Sequence, residues 1–226
     1  MSINLGRVVV VCALAVSLSP AGSGAVLDAY DDFTSSNPSG PWSYGYTPTL
    51  NGVFNTFTDF YAAPAPGAFG HEAAWREESV DTYLGLYKTS SPGLLLSHPG
   101  TAGQFAVLRF TAPSAGDYTV SSAFSGIDAA TTDVYVYANG ISIFAGSLNG
   151  LGDTTAFSQL VSLSAGQVVD LIVGYGSNFT SDNDATGLRA QISDVSAIPE
   201  PGSVFLLMTG LALIAAAKSG RIRPRR

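Results

Sequence analysis

The chain has 226 residues, a net charge of −7 and one cysteine, Cys12. Between residues 26 and 198, four cations (Arg76, Lys88, Arg109, Arg189) stand against 16 carboxylates, a net charge of −12. A surface this acidic repels phosphate backbones and anionic lipid, which argues against nucleic acid as a partner. With its single cysteine near the N-terminus, this stretch has no disulfide framework and must rely on a core of its own, for which it is long enough.

Residues 1–25 have the layout of a secretory leader. Arg7 supplies a positive start, Val8 to Leu18 an apolar run and Ser23-Gly24-Ala25 the small residues of a cleavage site. Cleavage there starts the mature chain near Val26; a cut after Ala21 and an uncleaved N-terminal anchor are the competing readings. Cys12 falls inside the apolar run and leaves with the leader.

Residues 26–197 read as one domain. The stretch to residue 100 is the less regular part. Asp28 to Phe33 is expected as a first strand, Asn37-Pro38-Ser39-Gly40-Pro41 as a turn, and Trp42-Ser43-Tyr44-Gly45-Tyr46 as a short aromatic strand. Tyr61 to Gly70 is a Pro/Ala loop. Trp75 with Arg76-Glu77-Glu78 falls in a short strand or turn, and Leu94-Leu95-Leu96 in a strand.

From residue 105 the alternation is clear. Phe105 to Phe110 is a strand with Phe105, Val107 and Arg109 on one face, followed by the turn Pro113-Ser114-Ala115-Gly116. Asp117 to Phe124 alternates Tyr118, Val120 and Ser122 against Thr119, Ser121 and Ala123. Asp133 to Ala138 alternates Val134 and Val136 with Tyr135 and Tyr137. Asn139-Gly140 signals a type I′ hairpin returning through Ile141 to Phe144. Ala156 to Leu163 and Val168 to Val173 read as a further pair around Ser164-Ala165-Gly166-Gln167, and Leu188 to Ile192 closes the domain. Many short strands between turn clusters, without long helix-forming runs, predict an all-β antiparallel sandwich.

Candidate chemistry is sparse. Trp42, Tyr44, Tyr46 and Trp75 are the candidate glycan-binding residues, with Tyr83 and Tyr87 as further aromatics. An apolar sugar face stacks on an aromatic ring while nearby polar groups orient it. Tyr44 and Tyr46 share a strand face with Trp42, and the competing reading turns that face into the core. The loop Asn178-Phe179-Thr180-Ser181-Asp182-Asn183-Asp184 is rich in hard oxygens, so Asn178, Asp182, Asn183 and Asp184 are the candidate ligands of a structural calcium; an Asx-rich turn is the alternative. His71 and His98 lack a metal-ligand spacing, and no phosphate loop, GxSxG or dinucleotide fingerprint occurs. Glu72, Glu77, Glu78 and Asp81 lie together, and a glycosidase needs two carboxyls held across a cleft, but they read more simply as a surface cluster, so no catalytic residue is assigned.

Residues 198–226 are different in kind. Pro199-Glu200-Pro201 precedes an uncharged run, 203–217, and then Lys218, Arg221, Arg223, Arg225 and Arg226. Fifteen residues span roughly 22 Å as a helix, short for a bilayer core of about 30 Å unless the basic flank reaches to the headgroups. The positive end belongs on the cytoplasmic side and everything before it outside. A buried C-terminal helix would not explain those five cations. The layout resembles the PEP-CTERM sorting signal of Gram-negative bacteria that make extracellular polysaccharide, although Lys218-Ser219-Gly220 interrupts the basic end. That resemblance implies transient anchoring in the inner membrane, processing by an exosortase at Pro199, Glu200 and Pro201, and a final place at the cell surface or in the extracellular matrix.

Thr111 to Val120, the hairpin Val134 to Phe144 and Ser164-Ala165-Gly166-Gln167 to Asp170 resemble the galactose-binding and carbohydrate-binding type of jelly roll, over about 104–192. The resemblance implies a jelly-roll sandwich and a non-catalytic protein associated with extracellular polysaccharide. A structural surface protein that binds no sugar and a hydrolase of extracellular polymer are the alternatives. Motifs of this kind encode β geometry more than chemistry.

Overall fold

A computed structural model of the chain describes residues 26–62 and 71–195. The leader, the Pro199–Pro201 triplet, the apolar run 203–217 and the basic end lie outside the described residues. Among the described residues no helix is long and apolar enough to cross a membrane.

Fourteen strands form in chain order among these residues. They are β1 (Val26–Asp28), β2 (Trp42–Thr47), β3 (Asn55–Thr56), β4 (Asp59–Ala62), β5 (His71–Glu77), β6 (Asp81–Thr89) and β7 (Leu95–His98). Then follow β8 (Phe105–Thr111), β9 (Gly116–Gly126), β10 (Asp133–Ala138), β11 (Ile141–Ser147), β12 (Thr154–Leu163), β13 (Val168–Gly174) and β14 (Thr186–Asp194). One eight-stranded sheet has the order β12-β9-β14-β7-β6-β5-β4, with β1 also on β14; a six-stranded sheet runs β11-β10-β13-β8-β2-β3. All pairings are antiparallel. From β8 on, the chain passes repeatedly between the sheets, the crossing pattern of a jelly-roll sandwich.

Alternation builds the two layers. In β9, Tyr118, Val120 and Phe124 turn inward; in β10, Val134 and Val136 do so. They meet Trp42, Tyr44, Leu108, Phe110, Leu171 and Ile192 in one core between the sheets. Trp42 stands edge-on to Phe110 at 5.5 Å, and Phe110 to Tyr118 at 5.6 Å. The buried Trp42, Trp75 and Tyr118 rings each find a partner for their polar atom. The Trp42 indole N–H donates to Asp32 Oδ2 at 3.0 Å, that of Trp75 to the Thr34 carbonyl at 2.9 Å, and Tyr118 O–H to the Ser114 carbonyl at 2.9 Å.

The Asn139-Gly140 hairpin forms as expected: both residues have positive φ, 49° and 77°, and Ala138 pairs with Ile141. Two other expectations need correction. The first strand is Val26–Asp28, and the chain turns at once, with Asp32 N–H bonded to the Asp28 carbonyl at 3.0 Å. The strands around Ser164–Gln167 do not pair. β12 lies on β9 in one sheet, whereas β13 lies between β10 and β8 in the other. Leu163 and Val169 enter the same core from opposite sides, so this tight turn is a crossover between sheets.

Candidate functional site

The outer face of the six-stranded sheet carries the residues that alternate with the core. Register places Tyr135 beside Ile172, Val107 and Gly45 in one row, and Tyr137 beside Asp170, Arg109 and Ser43 in the next. Two glycines make room for rings to lie on this face. A Cβ on Gly174 would meet the Phe105 ring at 2.4 Å, and one on Gly45 the Phe54 ring at 2.6 Å. Phe105 reaches Tyr135 at 6.5 Å, and Tyr135 reaches Tyr137 at 6.2 Å, both edge-to-face. Three aromatic side chains thus form a half-buried strip.

An ion pair lies beside it, in the row of Tyr137. Arg109 Nε and Nη2 donate to the two carboxylate oxygens of Asp170 at 2.7 and 2.8 Å, and the guanidinium lies 4.0 Å from the centre of the Phe54 ring. Tyr135 O–H donates to Asp133 Oδ2 at 2.7 Å. Burial, then the Asp133 carboxylate, pushes the Tyr135 phenol up to about 12, so it stays a neutral donor.

The connection from β2 to β3 crosses this face as a strap. Asn51 Nδ2 donates to the Gly140 carbonyl of the distant hairpin at 3.1 Å before Phe54 returns over Gly45. Val107 and Ile172, 0% and 1% exposed although they point away from the core, are enclosed by this outer layer. Beside the strap the strip stays accessible, with aromatic faces, a fixed cation, carboxylates and a phenol, the components of a sugar-stacking surface.

The residues expected from sequence to bind glycan lie elsewhere. Trp42 and Tyr44 are fully buried and Trp75 is 7% exposed, packed on Phe60, so none offers a face to a ligand. Tyr46 is half-buried and stacks on Phe57. The aromatic face of β2 points inward because the opposing sheet supplies the apolar partners that complete it. Tyr135 and Tyr137, read only as strand alternation, are the rings that stand on the outer face. Their signal was that the smaller Val134 and Val136 share the other face.

The oxygen-rich loop separates into exposed and buried parts. Asn178, Asp182 and Asn183 are exposed; Asn178 Oδ1 accepts from Thr180 N–H at 3.3 Å, and Asn183 adopts φ 64°. Asp184 turns inward, and its Oδ1 accepts from the backbone N–H of Thr131 at 3.0 Å. The four therefore do not converge, and among the described residues no three acidic, His or Cys side chains gather as a metal cage. Burial, then repulsion from Asp128 and Asp133, pushes the Asp184 carboxyl up to about 6, against the bonds from Thr131.

The first-half acids hold turns. Glu78 pairs with Arg76, Glu77 accepts from Thr58 and Ser79, and Asp81 accepts from Thr101 and from Tyr83 N–H. Glu72 is exposed on β5. With Tyr87, Leu96 and Ala185, Ala74 forms a small cluster on the outer face of the eight-stranded sheet, and His71 packs 4.9 Å from Tyr87. His98 is buried near Tyr83, its Nδ1 2.8 Å from the Pro99 carbonyl. Burial holds both imidazoles below their ordinary pKa, with Arg76 adding to the effect at His71. Both His71 nitrogens are enclosed and unpartnered.

His71→Phe is therefore expected to fold and to lose less stability in acid than the wild type. The unfolded chain takes up the imidazole proton near pH 6.5, the folded chain only below that, so the native imidazole's contribution falls away as pH drops through 6.5. The gap between variant and wild type should widen by at most about 1.4 kcal/mol per pH unit. Urea titrations at several pH values measure it; a constant gap refutes the burial of a neutral ring.

Two shallow depressions, about 250 and 440 Å³, share Ala123 and Arg189 on the outer face of the eight-stranded sheet. Ser121, Ser125, Thr154 and Gln191 line them with polar groups, and no exposed ring offers a stacking face there.

No family model and no curated protein matches the chain. Among solved structures it resembles the CBM51 of Clostridium perfringens GH95, in complex with methyl-galactose, at 14% identity over 79% of this chain and 95% of that one, with a TM-score of 0.33. A CBM4 structure is 15% identical over 79% of this chain and 99% of that one, with a TM-score of 0.35. Rabbit GITRL is 15% identical over 42% of this chain and 74% of that one, with a TM-score of 0.29. These are loose likenesses, and the fold assignment rests on the strand topology described above.

Proposed function

We propose that this protein is an exported, non-catalytic component of the cell surface or extracellular matrix that associates with extracellular polysaccharide through the outer face of its six-stranded sheet. The observation that carries this reading is the half-buried strip of Phe105, Tyr135 and Tyr137 beside the Arg109–Asp170 pair. The engagement of Glu77, Glu78 and Asp81 in turns favours binding over hydrolysis. The leader-like residues 1–25 and the tail from Pro199 support export, anchoring through 203–217 in the inner membrane of a Gram-negative bacterium, and processing by an exosortase. The acidic surface disfavours nucleic acid.

A structural surface protein without sugar affinity is the second reading, favoured by the strap that roofs part of the same face. Binding of the purified protein to the polysaccharide of its own host separates the two. Tyr137→Ala is expected to weaken that binding about tenfold, equivalent to about 1.4 kcal/mol, and to cost under about 1 kcal/mol of stability. No saturable binding by the wild type would favour the structural reading. Binding unaffected by loss of Tyr137 and Tyr135 together would place any sugar site elsewhere.

A further inference from the structure

At one end of the sandwich the connection from β9 to β10 meets the segment that leads into β14. Ile127 N–H donates to the Ala185 carbonyl at 3.0 Å, and Thr132 and Thr186 share a hydroxyl–hydroxyl bond of 3.0 Å. Thr132, Asp184 and Thr186 are all 0% exposed, and Ser181 is 4% exposed. This buried corner is rich in hard oxygen donors.

Its charges do not balance. Asp184 Oδ2 and Asp128 Oδ1 are both enclosed and have no hydrogen-bond partner. Asp133, the third carboxylate near Asp184, is already satisfied by Gly176 N–H at 2.9 Å and by Tyr135 O–H at 2.7 Å. The cations of the described residues are placed elsewhere: Arg76 at Glu78, Lys88 over Tyr30, Arg109 at Asp170, and Arg189 at the Pro92 carbonyl. Burying a carboxylate oxygen without a donor or counter-charge is strongly unfavourable.

We propose that Asp128 Oδ1 and Asp184 Oδ2 bind a calcium ion that ties the β9–β10 connection to the start of β14. Two carboxylates from different loops, surrounded by hydroxyl and carbonyl oxygens, suit a hard cation that tolerates irregular geometry; magnesium is more exacting. Asn178, Asp182 and Asn183 take no part, because the turn that buries Asp184 leaves them in solvent. The proposal stands apart from the glycan reading.

The test is calcium titration of the purified full-length chain by calorimetry, with melting in EDTA, in excess calcium and in excess magnesium. Calcium at about 100 times its Kd should raise the melting temperature by about 5–10 °C, and magnesium by less. Asp184→Asn should abolish the calcium response, Asp128→Asn should weaken binding at least about tenfold, and Asp182→Asn should leave both unchanged. No calcium bound by the wild type, with equal melting in EDTA and calcium, overturns the proposal. So does an unchanged Kd in Asp184→Asn, or in Asp128→Asn should the Asp184 variant fail to fold.

Discussion

Trp42→Ala is expected to cost about 4 kcal/mol, within the range measured for aromatic truncations in cores. The ring is fully buried on β2, edge-on to Phe110, which in turn packs edge-on to Tyr118 of the opposite sheet. Truncation opens a cavity at the layer where the two sheets meet. It also removes the N–H that donates to Asp32 Oδ2, a bond that holds the 29–41 segment against β2. Net stabilities of domains are only about 5–15 kcal/mol, so much of the margin goes with one side chain. Urea unfolding should show a lower midpoint with an unchanged slope. Trp42→Phe should lose about half as much, since it keeps most of the packing but leaves Asp32 without its donor. A change within about 1 kcal/mol for Trp42→Ala would contradict the burial of this ring. The experiment also separates core from site: Trp42 acts on stability, whereas Tyr137 is expected to act on binding.

Arg109→Ala should cost about 3 kcal/mol, the effect of leaving a largely buried carboxylate without its counter-charge. Asp170 lies mid-strand with its side chain only 10% exposed, and both of its oxygens accept from Arg109. The guanidinium also covers the Phe54 ring, so its loss loosens the strap. Arg109→Lys keeps the charge but loses the fork and the flat contact with the ring, and should cost about 1–2 kcal/mol. Replacing both partners, Arg109→Met with Asp170→Leu, should recover most of the loss, because neither charge then remains to be solvated. A double-mutant cycle measures the coupling. If the double variant is as unstable as the sum of its parts, the two side chains act independently and the geometry of the pair is irrelevant to stability.

Much of the architecture was legible in the chain because alternation and turn chemistry are local. Val134 and Val136 alternate with Tyr135 and Tyr137 in a real strand, Phe105, Val107 and Arg109 share a face, and Asn139-Gly140 closes a hairpin. The same locality explains the errors. Ser164–Gln167 has the composition of a hairpin turn, yet it carries the chain from one sheet to the other. A turn determines that the chain reverses; the partner of each following strand depends on surfaces far away in sequence.

By itself the sequence determined an acidic all-β chain of alternating strands, with five of its ten basic residues in the last nine positions. Only the tertiary structure decided which face of each strand became core. Trp42-x-Tyr44-x-Tyr46 and Tyr135-x-Tyr137 share one spacing with opposite outcomes: the first faces the rings of β8 and β9, while the second yields the interior to Val134 and Val136. A period of two defines two faces without ranking them, and the ranking comes from the volume the opposing sheet leaves to be filled. The same holds for Asp184. Asp182 and Asn183 just before it remain in solvent, whereas its donor Thr131 and the neighbouring Asp128 come from a loop more than fifty residues earlier. Burial and charge at that corner are properties of the packed sandwich, set by contacts that spacing along the chain does not encode.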